Sequence, residues 1–299
     1  MEEQELEYKF NKALEYEHEG KLLHAVQIYT SLLKTDSFKR DSSIQLHKIY
    51  ENWGNIGHSS SLLRNYLDEN SGDFELRKYY SLFLIKHHHY EEAVEQLSRI
   101  SSSEIAEVKF LAGLARFFMK DYESAVINFT EFIGQNNSTE YLYDAYLYLA
   151  KTQLELNNID KALEAAKGAD KISSGSEELQ LILTKIYLLK GMNFHAFDSV
   201  SRGLRINNES RQMNELAGRI SFDMGEYDKA ENHLRKLLNN NEQSDEVFTL
   251  LGIIYIKKND FAKAEEMFNK ALEINPENIP AIENKRICAE YLEKQNIVQ

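Results

Sequence analysis

An all-α solenoid of antiparallel helix pairs is the fold class that three features of this 299-residue sequence predict. A pattern written most clearly at 245–276, DEVFTLLGIIYIKKNDFAKAEEMFNKALEINP, recurs in weaker form about every 34 residues. Within each copy the apolar residues fall at i, i+3, i+4 and i+7, interrupted once by a short polar turn, as two packed helices require. Only two prolines occur, both near the C-terminal end, so strong helix breakers are missing from the rest of the chain. The length alone would suggest two compact domains, but a solenoid extends without closing a single core. Residues 1–299 therefore read as one array of about eight units.

The first unit carries Ala13, Tyr16, Gly20, Leu22, Ala25, Tyr29 and Leu32. The second, 40–73, keeps the rhythm through Leu46, Tyr50, Gly54, Ile56 and Leu63 but has Ser59 where alanine is expected. Ser81, Tyr90, Ala93 and Leu97 mark the third, and Gly113, Tyr122, Ala125, Phe129 and Phe132 the fourth. GQNNSTE then lengthens the connection and predicts a local change of helix spacing, not a domain boundary. Tyr146, Leu149, Ala150, Ile159, Ala162, Ala166 and Ala169 define the fifth unit. The sixth, 178–210, aligns through Leu188, Phe194, Phe197 and Leu204, which puts Lys185 and Phe197 where small residues are favoured. Gly218, Gly225, Tyr227, Ala230, Leu234 and Leu237 follow in the seventh.

The last unit sets Phe248, Leu251, Gly252 and Tyr255 on one helix and Phe261, Ala264, Phe268 and Ala271 on the next, with Asn259 and Asp260 between them. Small Gly252 and Ala264 allow close crossing while the aromatic rings fill the surrounding space. Beyond Pro276, residues 279–295 predict a capping helix that packs through Ile282, Ile287 and Leu292, with Cys288 in the same contact.

These residues resemble the tetratricopeptide repeat family, strongly at 245–276 and in graded form upstream. The resemblance implies a right-handed superhelix whose first helices line a concave face and whose second helices cover the outside. Carried onto this chain, the family's groove positions are Phe110, Leu114 and Phe117, then Leu147, Lys151 and Leu154, then Ile182, Ile186 and Leu189. Glu215, Arg219 and Phe222 come next, and Thr249, Ile253 and Ile256 last. The implied function is a noncatalytic scaffold that takes a peptide or helical segment of a partner protein on this face, with Lys151 and Arg219 orienting acidic groups. The competing reading buries the same side chains between neighbouring first helices. An accessory regulatory subunit of a separate enzyme is the alternative function. The family's carboxylate clamp does not transfer, because Phe10, Leu14, Ile44 and Lys48 stand at its polar positions.

A formal charge of −13 argues against broad nucleic-acid binding, which needs a basic footprint. The acidic first nineteen residues read as a solvated face. One cysteine excludes an internal disulfide, and no secretory signal or membrane-spanning apolar run is written in the chain, so a soluble cytoplasmic protein is expected. His87, His88 and His89 are adjacent and diverge on a helix, so they predict a polar turn and no metal site. No nucleophile, base or cofactor motif is present, and neither catalysis nor a cofactor is expected. Homo-oligomerisation is left open.

Overall fold

Among the described residues, eight turns between consecutive helices each carry one residue in the left-handed conformation. These residues are Gly20, Gly54, His88, Lys120, Asn157, Gly191, Gly225 and Asn259, with φ between 57° and 76°. The following N–H then reaches back to a carbonyl of the preceding helix: Met192 to Tyr187 at 2.8 Å, Glu226 to Ser221 at 2.8 Å and Asp260 to Tyr255 at 2.9 Å. That bond satisfies an end carbonyl and fixes the reversal of the chain, and glycine adopts the required φ without steric cost. His88 belongs to this set, which explains the histidine run as turn chemistry.

The computed structural model describes residues 2–100, 107–135, 141–239 and 244–298, and its secondary structure there is helical. Residues Met1–Leu156 and Asn157–Gln299 form two compact units. The first contains α1 (Glu2–His18), α2 (Leu22–Leu32), α3 (Asp36–Asn52), α4 (Ile56–Glu69), α5 (Phe74–Lys86), α6 (Tyr90–Ser98), α7 (Val108–Phe118), α8 (Tyr122–Gly134) and α9 (Leu142–Glu155). The second contains α10 (Ile159–Ile172), α11 (Glu177–Leu189), α12 (Asn193–Ile206), α13 (Arg211–Asp223), α14 (Tyr227–Asn239), α15 (Asp245–Lys257), α16 (Phe261–Ile274) and α17 (Ile279–Val298). Within each unit successive helices pack as antiparallel neighbours. Five residues of the GQNNSTE connection, 136–140, lie outside the described residues.

Sequence spacing becomes packing at two recurring slots. Five residues after the turn residue, a buried alanine recurs as Ala25, Ala93, Ala125, Ala162, Ala196, Ala230 and Ala264, with Ser59 in the second pair. Seven residues before the turn stands the partner slot, occupied by Gly252, Gly218 and Gly113 where the facing side chain is large. A Cβ on Gly252 would lie 2.5 Å from Phe268, and one on Gly218 would lie 2.8 Å from Leu234.

The same ruler corrects the sixth unit. Seven residues before Gly191 is Thr184, and five after it is Ala196, both fully buried. Lys185 and Phe197, assigned to those slots from sequence, are displaced by one residue; Lys185 is exposed.

First helices of the second unit begin on a repeated cap. Ser176, Ser210 and Ser244 accept from the backbone N–H groups of Leu179, Met213 and Val247, and Asn278 accepts from that of Ala281. Two acids join one helix pair to the next. Glu177 accepts from Asn207 Nδ2 at 3.1 Å and Ser210 Oγ at 2.5 Å; Asp245 accepts from the amides of Asn275 at 2.8 Å and Asn278 at 2.9 Å. These bonds hold α11 against α13 and α15 against α17.

At α17 the packing agrees with expectation at Cys288, leaves Leu292 half-buried and differs at the two isoleucines. Ala281 and Cys288 are fully buried, whereas Ile282 and Ile287 are exposed. Small side chains suit close approach to α16, which turns the isoleucines outward.

Candidate peptide-binding face

The groove positions that the resemblance implies lie ten, six and three residues before each left-handed turn residue. In the second unit they are Leu181, Lys185 and Leu188 on α11, Glu215, Arg219 and Phe222 on α13, and Thr249, Ile253 and Ile256 on α15. Two grooves open along this face. The first is lined by Leu181, Lys185, Leu188 and Leu189 of α11 with Gln212, Glu215 and Leu216 of α13. Phe222, Leu250, Ile253 and Pro280 supply the apolar walls of the second, whose polar rim includes Arg219, Asp223, Glu246 and Asn278. Leu181, Leu188 and Leu216 rest on the core of Ala196, Val200, Met213, Ala217 and Ile220, so their exposed sides are firmly backed.

Charge on this face is unevenly committed. Arg219 Nη2 contacts Glu215 Oε1 at 2.9 Å and Glu246 Oε2 at 3.3 Å, so one guanidinium is held between two carboxylates. Lys185, in the corresponding place on α11, is exposed and has no hydrogen-bond or ion-pair partner among the described residues. Ile253 takes the same place on α15 without charge. One repeat position thus passes from a free cation to a neutralised cation to an aliphatic side chain.

Of the residues selected from sequence in this unit, Ile182 and Ile186 are buried, the latter completely. They are packing residues, because each lies one residue, about 100° around the helix, beyond Leu181 and Lys185. Leu189 is 57 % exposed and lines the first groove beside the correctly placed Leu188. Arg219 and Phe222 lie where the spacing puts them. Leu181, Leu188, Leu216 and Leu250 escaped that selection; counting back from Gly191 would have found the first two.

In the first unit Phe110 and Leu147 are buried and belong to packing, while Leu114, Phe117, Lys151 and Leu154 are half-buried. Phe117 meets Tyr148 edge-on at 5.3 Å, and Lys151 Nζ lies 4.4 Å from the centre of the same ring. These side chains form an aromatic and cationic surface whose rings already contact one another.

Other polar clusters are structural. Ser59 Oγ lies 2.8 Å from His47 Nδ1, and His47 Nε2 lies 3.9 Å from Glu51, which resembles a nucleophile, base and acid in outline. Both Ser59 and His47 are fully buried, so no substrate reaches them. Desolvation holds the His47 pKa below its ordinary value, against the opposing effects of the Ser59 carbonyl and Glu51. His87 Nε2 meets Glu51 at 2.9 Å, and His88 Nδ1 meets the Tyr90 hydroxyl at 2.6 Å. Burial raises the pKa of the Cys288 thiol, which is the direction away from a reactive thiolate. Among the described residues no group of three or more His, Cys, Asp or Glu is arranged to hold a metal ion, and no helix is long and apolar enough to cross a membrane.

Tetratricopeptide repeat family models match residues 212–244 and 246–278. Comparison with curated proteins gives no match. Among solved structures, the C-terminal part of a repeat-containing protein of this type from Cytophaga hutchinsonii superposes with a TM-score of 0.66 at 12 % identity, covering 81 % of this chain and 98 % of that one. A tetratricopeptide repeat protein from Parabacteroides merdae gives 0.54 at 13 % identity, covering 83 % and 98 %. MamA gives 0.53 at 21 % identity, covering 57 % and 92 %. At these identities the likeness is one of fold.

Proposed function

We infer that this chain, which belongs to the tetratricopeptide repeat family, is a noncatalytic scaffold that binds a peptide or helical segment of a partner protein along the first helices of its second unit. The observation that carries this reading is the pair of open, leucine- and isoleucine-lined grooves at equivalent repeat positions of α11, α13 and α15. Rigid helices present these side chains from a buried core, so a bound segment gains apolar contact without first ordering a loop. Leu114, Phe117, Lys151 and Leu154 are proposed as a further contact surface within the first unit. A cytoplasmic setting is part of the same proposal, supported by a single cysteine that is buried and outside any disulfide.

Affinity capture from cells with wild-type chain, Leu188→Asp and Phe222→Asp tests the reading directly. Both side chains are only partly buried, so the variants are expected to keep wild-type helicity by circular dichroism. Loss of the captured partner from both supports the groove. Recovery of the same partner by both folded variants excludes these grooves as the contact.

A further inference from the structure

The groove between α11 and α13 has a charge preference written into it, and the inference rests on the reading that this groove binds a peptide. Leu181, Leu188, Leu189 and Leu216 make its apolar surface. Of the two charged side chains in its lining, Glu215 is held by Arg219 at 2.9 Å, which leaves the Lys185 ammonium as the uncommitted charge. Arg219 is already paired with both Glu215 and Glu246, so its charge is offset before any ligand arrives.

We propose that this groove selects an apolar peptide segment carrying an acidic residue, with leucine-like side chains seated among the four leucines and the acidic carboxylate paired to Lys185 Nζ. Selectivity comes from both signs of the interaction. A peptide seated in a groove that Lys185 shares with four leucines removes water from its ammonium, so an acidic residue replaces the lost hydration while a neutral or basic one leaves the charge unpaired. The net charge of −13 on the whole chain opposes long-range attraction of acidic partners. Short-range pairing at Lys185 must therefore outweigh a screened repulsion, and added salt weakens binding less than it would for a basic groove.

Phage-displayed random dodecapeptides panned against the full chain test this, with the best peptide resynthesised and titrated by fluorescence anisotropy. Enriched sequences are expected to combine Asp or Glu with at least two large aliphatic residues. Affinity for the best peptide should fall about tenfold with Lys185→Glu, and a Glu→Lys version of that peptide should regain it on the same variant. Leu188→Asp should abolish binding of either peptide. Enrichment without acidic residues, or unchanged affinity in Lys185→Glu while Leu188→Asp abolishes binding, overturns the charge preference and leaves the groove standing. Absence of enriched binders, or binding indifferent to Leu188→Asp, overturns the groove and the preference together.

Discussion

The hairpin α15/α16 and the hairpins α3/α4 and α5/α6 fill equivalent repeat slots with opposite chemistry. Seven residues before the turn, Gly252 lets the Phe268 ring approach closely, whereas the second pair places fully buried His47 there. His47 Nδ1 lies 2.8 Å from Ser59 Oγ, which donates to the His47 carbonyl at 2.9 Å. Eleven residues before the turn, Phe248 packs in the last pair, while the third pair has Arg77, only 1 % exposed. Arg77 donates to Gln96 Oε1 at 2.5 Å and to the carbonyls of Leu67 and Ser71 at 3.2 and 3.3 Å. The arginine therefore holds the end of α4 and the turn that follows it. A repeat can diverge at its signature positions and keep its geometry when a directed polar contact replaces the lost packing.

The largest test separates volume from hydrogen bonding. Arg77→Met keeps much of the side-chain volume but leaves the buried Leu67 carbonyl and Gln96 Oε1 without their donor, and should lower unfolding free energy by about 3 kcal/mol. Phe248→Met, a closer apolar replacement at the equivalent slot, should cost about 1 kcal/mol. Urea titration of both variants decides it, and equal losses would break the contrast. Next comes Gly252→Ala, whose added Cβ would meet Phe268 at 2.5 Å; a loss of about 1 to 3 kcal/mol is expected.

The histidine slot adds a pH signature. The folded pKa of His47 lies below its ordinary value because burial disfavours the imidazolium, so the unfolded chain binds more protons in mild acid. Its contribution to stability is complete above about pH 6.5 and is lost as the pH falls toward the folded value. His47→Asn should reduce the decline in melting temperature between pH 7 and 5. His233, also held below its ordinary value by desolvation and Lys236, retains a slope of the same sign in the second unit. An unchanged slope in the His47 variant would remove the histidine from the comparison.

The smallest effect concerns the turns. Lys120 adopts φ 63°, where a side chain is strained, while Gly225 does so at 76° without strain. Lys120→Gly should gain up to about 1 kcal/mol, and Gly225→Ala should lose a similar amount, both read by thermal denaturation.

Much of the fold was legible because a helical repeat writes its packing locally. Buried alanines such as Ala264 and Ala230 and the Gly252 slot stand at fixed offsets from a turn signal. Legibility failed where residue size stopped marking position. In α11 the close-packing slot holds Thr184, so sequence alignment moved by one residue and selected buried Ile182 and Ile186 in place of Leu181, Lys185 and Leu188. Similarly, Ile282 and Ile287 have the spacing of a packing stripe on α17, yet Ala281 joins the expected Cys288 in the contact and the isoleucines face outward.

By itself the sequence determined the helical period, the turn positions and the resemblance to a repeat family, since all three depend on residues close together along the chain. Tertiary structure alone decided which groove leucines stay exposed and that Arg219 is bound by Glu215 and Glu246 while Lys185 has no partner among the described residues. Exposure and ion pairing depend on side chains from separate helices meeting in space, and a one-residue step turns a helical side chain by about 100°, enough to move it between groove and core.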